Sequence, residues 1–163
     1  MTAVYVGAGS NSEPVERLRA ALAALEQAFG MVRCSAVYRS AAVGAPAPDY
    51  LNLAVAFDSP LGADAVKSAL IEIEAALGRT REGPRSALCA IDLDLSIHGR
   101  RVDAQRRLPH PDVLRRAFVL APLAELAPDL VHPVTGEPLE SARRRLAATL
   151  PTIENLGRLE AFA

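Results

Sequence analysis

The chain has 163 residues, a net charge of −1, and half of its residues are apolar, but aromatics make up only 4%. That length suits one domain with one sizeable core, built from Ala, Val, Leu and Ile. The near-neutral charge gives no global field toward nucleic acid or an anionic membrane, and no apolar run is long enough to span a bilayer.

Val4-Tyr5-Val6 opens the chain as a short apolar strand that runs into Gly7-Ala8-Gly9-Ser10-Asn11. This glycine segment lacks both the dinucleotide-fold glycine spacing and the phosphate-loop lysine, so it reads as a tight strand-to-helix turn. A first helix begins near Ser12, with Pro14 in its first turn, where a missing N–H costs nothing. Val15, Leu18, Leu22, Leu25 and Phe29 form one helical face, and Gly30 is placed to stop it. Residues 31–39 alternate loosely and read as a strand. Residues 40–49, with Gly44, Pro46 and Pro48, read as a loop. Leu51, Leu53, Val55 and Phe57 mark a half-buried strand. A second helix covers about 62–77, with Val66, Leu70, Ile73 and Leu77 on one face and Gly78 after it.

A polar loop bearing Arg79, Arg81 and Arg85 follows. Ile91, Leu93, Leu95 and Ile97 then alternate with Asp92, Asp94 and Ser96, the clearest strand in the sequence. Beyond it, residues 99–103 form a candidate hairpin strand and Pro109-His110-Pro111 a rigid corner. Residues 112–127 read as a helix interrupted by Pro122, and 137–148 as a last helix. The order β-α-β-β-α-β is that of a ferredoxin-like α+β sandwich with helices on one face, here with extra C-terminal helices.

The chemistry concentrates around Asp92 and Asp94. In a strand, residues two apart share a side, with Cα atoms about 7 Å apart at ~3.4 Å per residue. Two such carboxylates can reach one Mg²⁺ or two adjacent ones, and oxygen-only ligands suit that ion. Asp-x-Asp on an exposed edge strand is equally an ordinary solvated face. The arginines just upstream favour a polyphosphate, since they hold oxygens while a metal neutralises charge. They also serve as a solvated loop, or complement the dipole at the helix end. The two cysteines, Cys34 and Cys89, have no metal-type spacing and fit a reduced, cytoplasmic protein. The N-terminus lacks the pattern of a signal peptide.

Several separated motifs occur in a fixed order. They are Gly9-Ser10-Asn11, Tyr38-Arg39-Ser40 with Val43-Gly44, Pro48-Asp49-Tyr50-Leu51-Asn52, Ile73-Glu74 with Gly78-Arg79, and Ile91-Asp92-Leu93-Asp94-Leu95. Leu108-Pro109-His110-Pro111 and Arg116-Ala117-Phe118-Val119-Leu120-Ala121-Pro122-Leu123-Ala124-Glu125 complete the set. On these the chain, from Val4 to about His132, resembles the 6-hydroxymethyl-7,8-dihydropterin pyrophosphokinases of folate biosynthesis. The resemblance implies one domain over residues 1–163. It implies transfer of pyrophosphate from ATP to the pterin hydroxymethyl group, with release of AMP and two Mg²⁺ ions at Asp92 and Asp94.

It also implies that Val43, Tyr50, Asn52 and Phe118 bind the pterin. Glu74, Arg81, Leu95, Arg106 (or Arg107 in its place) and His110 would lie on the nucleotide side, and Arg79, Arg85 and Arg116 would act as phosphate- or loop-ordering arginines. The partners are then small molecules, with no nucleic acid and no membrane, and the oligomeric state stays open. One stretch departs from the family's usual Arg-Trp-Gly-Pro-Arg-Thr-Leu before the aspartates. Here it is Arg85-Ser86-Ala87-Leu88-Cys89-Ala90-Ile91, and the chain has no tryptophan. That departure sets up the competing expectation, a non-catalytic paralogue that binds pterin or Mg-ATP.

Overall fold

The structure is a computed structural model, described here for residues 1–44, 46–80 and 86–163. Arg81 and Arg85, named above as phosphate-side arginines, lie outside the described residues.

Six strands form one sheet: β1 (Thr2–Ser10), β2 (Arg33–Cys34), β3 (Tyr38–Ser40), β4 (Tyr50–Ser59), β5 (Asp92–His98) and β6 (Glu154–Asn155). The order is β5-β1-β4-β3-β6, with β2 also paired to β4, and the pairings are antiparallel. Helices α1 (Pro14–Phe29) and α2 (Ala63–Ala76) cover one face, and α3 (Ala117–Leu126) and α4 (Leu139–Leu146) pack on the other. The mixed α+β architecture matches the sequence expectation. The sheet is nevertheless covered on both faces, because the C-terminal helices form a second layer.

Strand alternation explains the two cores. Val4, Val6, Ala8, Leu53, Val55 and Phe57 point toward α1 and α2, where Leu18, Leu25, Val66 and Leu70 are buried at 1% exposure or less. Each such side chain contributes roughly 1.5–3 kcal/mol on burial. Tyr5, Ala54 and Ala56 point the other way, against Leu120, Leu123 and Leu139. No helix among the described residues is long and apolar enough to cross a membrane.

Five expectations change. Gly7, Ala8 and Gly9 are not a turn. They continue β1, hydrogen-bonded between β4 (Gly9↔Asn52) and β5 (Gly9↔Asp92). The lack of side chains at Gly7 and Gly9 leaves hollow ground on the α3 side of the sheet, which the site uses. The apolar alternation of β5 also breaks. The β1–β5 register shifts so that Tyr5 faces Ile97 and Val6 faces Leu95, leaving Ser96 as a bulge. Leu93 and Leu95 therefore pack toward α1 and α2, whereas Ile97 joins the opposite core. Lastly, Pro122 lies inside α3 rather than interrupting it, and residues 31–39 divide into two short strands. Residues 99–103 contribute only the bridge of Asp103 to Leu108.

Candidate active site

Asp92, Asp94 and Ser96 project from β5 toward the α3 side. The same direction is taken by Gly7 and Gly9 from β1 and by Asn52 from β4, and together they line one cavity of about 220 Å³. Ser40, Val43, Tyr50, His110, Phe118 and Val119 complete its walls. A second cavity of about 210 Å³ opens against α2 and the 106–110 segment. Lys67, Ile71, Glu74, Arg79, Leu95, Arg106 and Arg107 line it, again with Asp92, Asp94 and His110. The carboxylate pair thus stands where two cavities meet, one largely apolar with an aromatic wall and the other rich in cations.

The acceptor-like cavity is shaped by close packing. Asn52 is 6% exposed, and its Nδ2 donates to Ser40 Oγ at 2.8 Å and to the Tyr38 carbonyl at 3.3 Å. These bonds use its amide donor and leave the orientation of its Oδ1 fixed. Gly9 must stay small here. A Cβ on it would come within 2.9 Å of Asn52 Oδ1. Val43 is 60% exposed at the rim.

A buried relay organises the other side. Glu74, on the last turn of α2, is 1% exposed. Its Oε1 accepts from Leu93 N at 2.7 Å, an amide on the side of β5 that no strand pairs among the described residues, and from Arg79 Nη1 at 2.8 Å. Arg79 also hydrogen-bonds Asp92 Oδ1 and the Ile91 carbonyl. Burial works against the Arg79 charge. The hydrogen bond and charge of Asp92, followed by Glu74, hold its pKa above the ordinary value all the same. Asp94 feels the Arg79 charge more weakly. Lying in the cleft pushes its carboxyl up to about 7, chiefly by desolvation and then by the charge of Asp92.

His110 is held by its own backbone, whose N–H donates 2.8 Å to the carbonyl of the bulged Ser96. Its Nδ1 accepts from Asp112 N at 3.2 Å, and burial depresses its pKa. Arg106 lines the second cavity, but its guanidinium is engaged by Asp64 and by Asp103, at 2.5 Å and 3.0 Å. Arg116 is not brought to either cavity and stands 4.0 Å from Asp112. Sequence reasoning missed Gly7, Ser96 and Lys67, whereas Arg107, the alternative to Arg106, does line the second cavity. The bulge that turns Ser96 inward leaves no residue-type signal, whereas a lone lysine one turn before Ile71 on the helix face was readable.

The donor set tests whether Mg²⁺ fits. No group of three or more His, Cys, Asp or Glu able to hold a metal forms among the described residues. Two carboxylates opening into a shared cleft are instead the arrangement of an ion that keeps waters and takes phosphate oxygens, which is the habit of Mg²⁺.

The sequence model of the family described as 7,8-dihydro-6-hydroxymethylpterin-pyrophosphokinase (HPPK) matches residues 5–128. A Synechocystis sp. protein named 2-amino-4-hydroxy-6-hydroxymethyldihydropteridine pyrophosphokinase is 44% identical over 140 residues, covering 81% of this chain and 70% of the relative. A Methylorubrum extorquens protein of the same name is 43% identical over 155 residues, covering 90% and 94%. The crystal structure of a Plasmodium falciparum HPPK-DHPS triple mutant superposes with a TM-score of 0.71 at 11% identity. It covers 90% of this chain and 44% of that one, and this likeness speaks to the fold alone. With the family match spanning most of its length and relatives above 40% identity over 70% and 94% of their own lengths, the chain belongs to the HPPK family.

Proposed function

We propose that this protein transfers the terminal pyrophosphoryl group of ATP to the hydroxymethyl oxygen of 6-hydroxymethyl-7,8-dihydropterin, releasing AMP, within folate biosynthesis. The observation that carries the reading is the position of Asp92 and Asp94 at the junction of two cavities. A transfer enzyme needs donor and acceptor to approach one charged point from opposite sides.

The pterin occupies the cavity with the Tyr50 and Phe118 rings and the buried Asn52 amide. A flat heterocycle stacks on the rings and pairs with the amide. ATP occupies the second cavity, its base against Leu95 and Ile71 and its phosphates toward the carboxylates. The pterin hydroxyl attacks the β-phosphorus. The new O–P bond forms as the bridging bond to the α-phosphate breaks, the bond electrons leave with AMP, and the hydroxyl proton passes to solvent. Asp92 and Asp94 hold Mg²⁺, two ions in this reading, and the ion supplies neutralisation of phosphate charge when bound. Arg79 keeps Asp92 in place through its bond to Glu74. Arg81 and Arg85 fall in the segment next to this cavity in sequence and are assigned to the phosphates on the family pattern. The whole chain, residues 1–163, acts as a single cytoplasmic domain on small molecules.

The test is ³¹P NMR of a mixture of protein, Mg²⁺, ATP and 6-hydroxymethyl-7,8-dihydropterin. AMP and a pterin pyrophosphate are expected to grow in equal amounts. ADP with free phosphate, or no change with folded protein, contradicts the proposal.

A further inference from the structure

The two walls of the acceptor cavity come from elements that share no backbone hydrogen bond among the described residues. Asn52 stands on β4 and Phe118 on the first turn of α3. Their separation decides whether a flat ring fits between them, so something must set it.

Leu120, Leu123 and Ala124 anchor α3 in the core, and its other side borders open space. Beyond Ala117, Leu120 and Ala121 lies a third cavity of about 500 Å³, bounded by the 147–153 segment rather than filled by side chains. Inside the helix, Pro122 has no N–H to give to the Phe118 carbonyl, so the first turn lacks one of its ties to the rest. Glu125 adds a polar tether to that packing. It lies seven residues after Phe118, about 10.5 Å along the axis at ~1.5 Å per residue, close to the same helical face. Its Oε1 accepts from Ala36 N at 2.9 Å and its Oε2 from the Tyr38 hydroxyl at 2.6 Å. Ala36 is 5% exposed, so its amide depends on this carboxylate for a partner.

Tyr38 then passes the constraint on. It is the direct ladder partner of Asn52, and its carbonyl accepts from Asn52 Nδ2 at 3.3 Å. Asn155 Nδ2 donates to the Tyr38 hydroxyl at 3.3 Å, fixing the ring from the β6 side. A continuous line of bonds therefore runs from α3 through Glu125 and Tyr38 to Asn52.

We propose that Glu125 is a substrate-positioning residue, whose carboxylate sets the gap between Phe118 and Asn52 and so the fit of the pterin, while touching neither substrate. The proposal rests on the reading of that cavity as the pterin site. It does not require turnover.

The test is equilibrium binding of oxidised 6-hydroxymethylpterin, followed by its own fluorescence, with Mg²⁺ and an ATP analogue carrying a methylene between the α- and β-phosphorus. The analogue's affinity is measured alongside. Glu125→Ala is expected to weaken pterin binding about tenfold, equivalent to ~1.4 kcal/mol, with nucleotide affinity within twofold of wild type. Glu125→Gln keeps one acceptor oxygen for Ala36 N and is expected to recover part of the loss. Pterin affinity within twofold of wild type in Glu125→Ala overturns the proposal. So does an equal loss toward both ligands, which would mark a merely structural role. If Glu125→Ala does not fold, Glu125→Gln and Tyr38→Phe decide: each is expected to weaken pterin binding about threefold with nucleotide binding intact, and no change in either overturns the proposal. Wild type that binds pterin yet makes no AMP refutes the activity and leaves this series to judge Glu125. Wild type that binds no pterin refutes both.

Discussion

Gly9→Ala is a small change with a computable cost. The added Cβ meets Asn52 Oδ1 at 2.9 Å, Tyr50 Cδ1 at 3.6 Å and the Leu51 carbonyl at 3.8 Å. The last two are ordinary contacts, but the first is too short to persist. The backbone of Gly9 is fixed by ladders on both sides, so Asn52 has to yield. Turning its amide away breaks the bonds to Ser40 Oγ and the Tyr38 carbonyl. At about 0.5–1.5 kcal/mol net for each bond, the loss is about 1–3 kcal/mol. In affinity that is roughly 5- to 150-fold. Global stability suffers less, because alanine in a strand regains roughly 0.5–1 kcal/mol of backbone entropy relative to glycine. Steady-state kinetics with each substrate varied in turn reads the result. KM for the pterin is expected to rise within that range, with KM for ATP nearly unchanged. An unaltered pterin KM would refute the claim that Gly9 shapes the acceptor cavity through Asn52.

Further outcomes follow from the carboxylates. Asp94→Asn is expected to keep the fold, since its side chain opens into the cleft, and to weaken Mg²⁺-dependent binding of an ATP analogue at least about tenfold, as a close charge at a metal demands; calorimetry checks this. Glu74→Leu removes the partner of Leu93 N and one counter-charge of Arg79. A loss of about 3–5 kcal/mol is expected, seen as a fall in Tm of roughly 6–20 °C. Desolvation, then the charge of Asp92, pushes the Asp94 carboxyl up to about 7 from an ordinary 3.8. Its proton is therefore held more tightly folded than unfolded, and the stability this gives is full below the ordinary value and lost as pH rises through about 7. Urea unfolding of the metal-free protein is expected to show that decline, and Asp94→Asn to remove it. Mg²⁺ needs the carboxylate form, so its apparent affinity is expected to weaken as pH falls below about 7.

Much of this was legible in the sequence because it is periodic. The two long helices and the strand bearing Asp92 and Asp94 alternate apolar and polar residues at the spacing their geometry demands, and the ordered motifs pointed to the family. What was not legible depends on pairing between distant segments. Gly7 and Gly9 look like a turn until β4 and β5 are seen to flank them. Ile97 continues an apolar series in the sequence, yet the Ser96 bulge sends it to the opposite core. The two-residue β6 is too short to announce itself. At the site, the family pattern left Arg106 and Arg107 as alternatives; Arg106 is engaged by Asp64 and Asp103, while Arg107 and Lys67 line the same cavity with no ion pair among the described residues. Charge type is written in a sequence, and which charges are already spent is not.

The most direct test of the central claim is a crystal structure of the protein with Mg²⁺, an ATP analogue blocked between the α- and β-phosphorus, and 6-hydroxymethylpterin. The account expects metal bound by both Asp92 and Asp94, the nucleotide lying along α2 beside Leu95, and the pterin between Phe118 and Asn52. Its hydroxymethyl oxygen should face the β-phosphorus. Metal away from the carboxylate pair, or both ligands in one cavity, would contradict it.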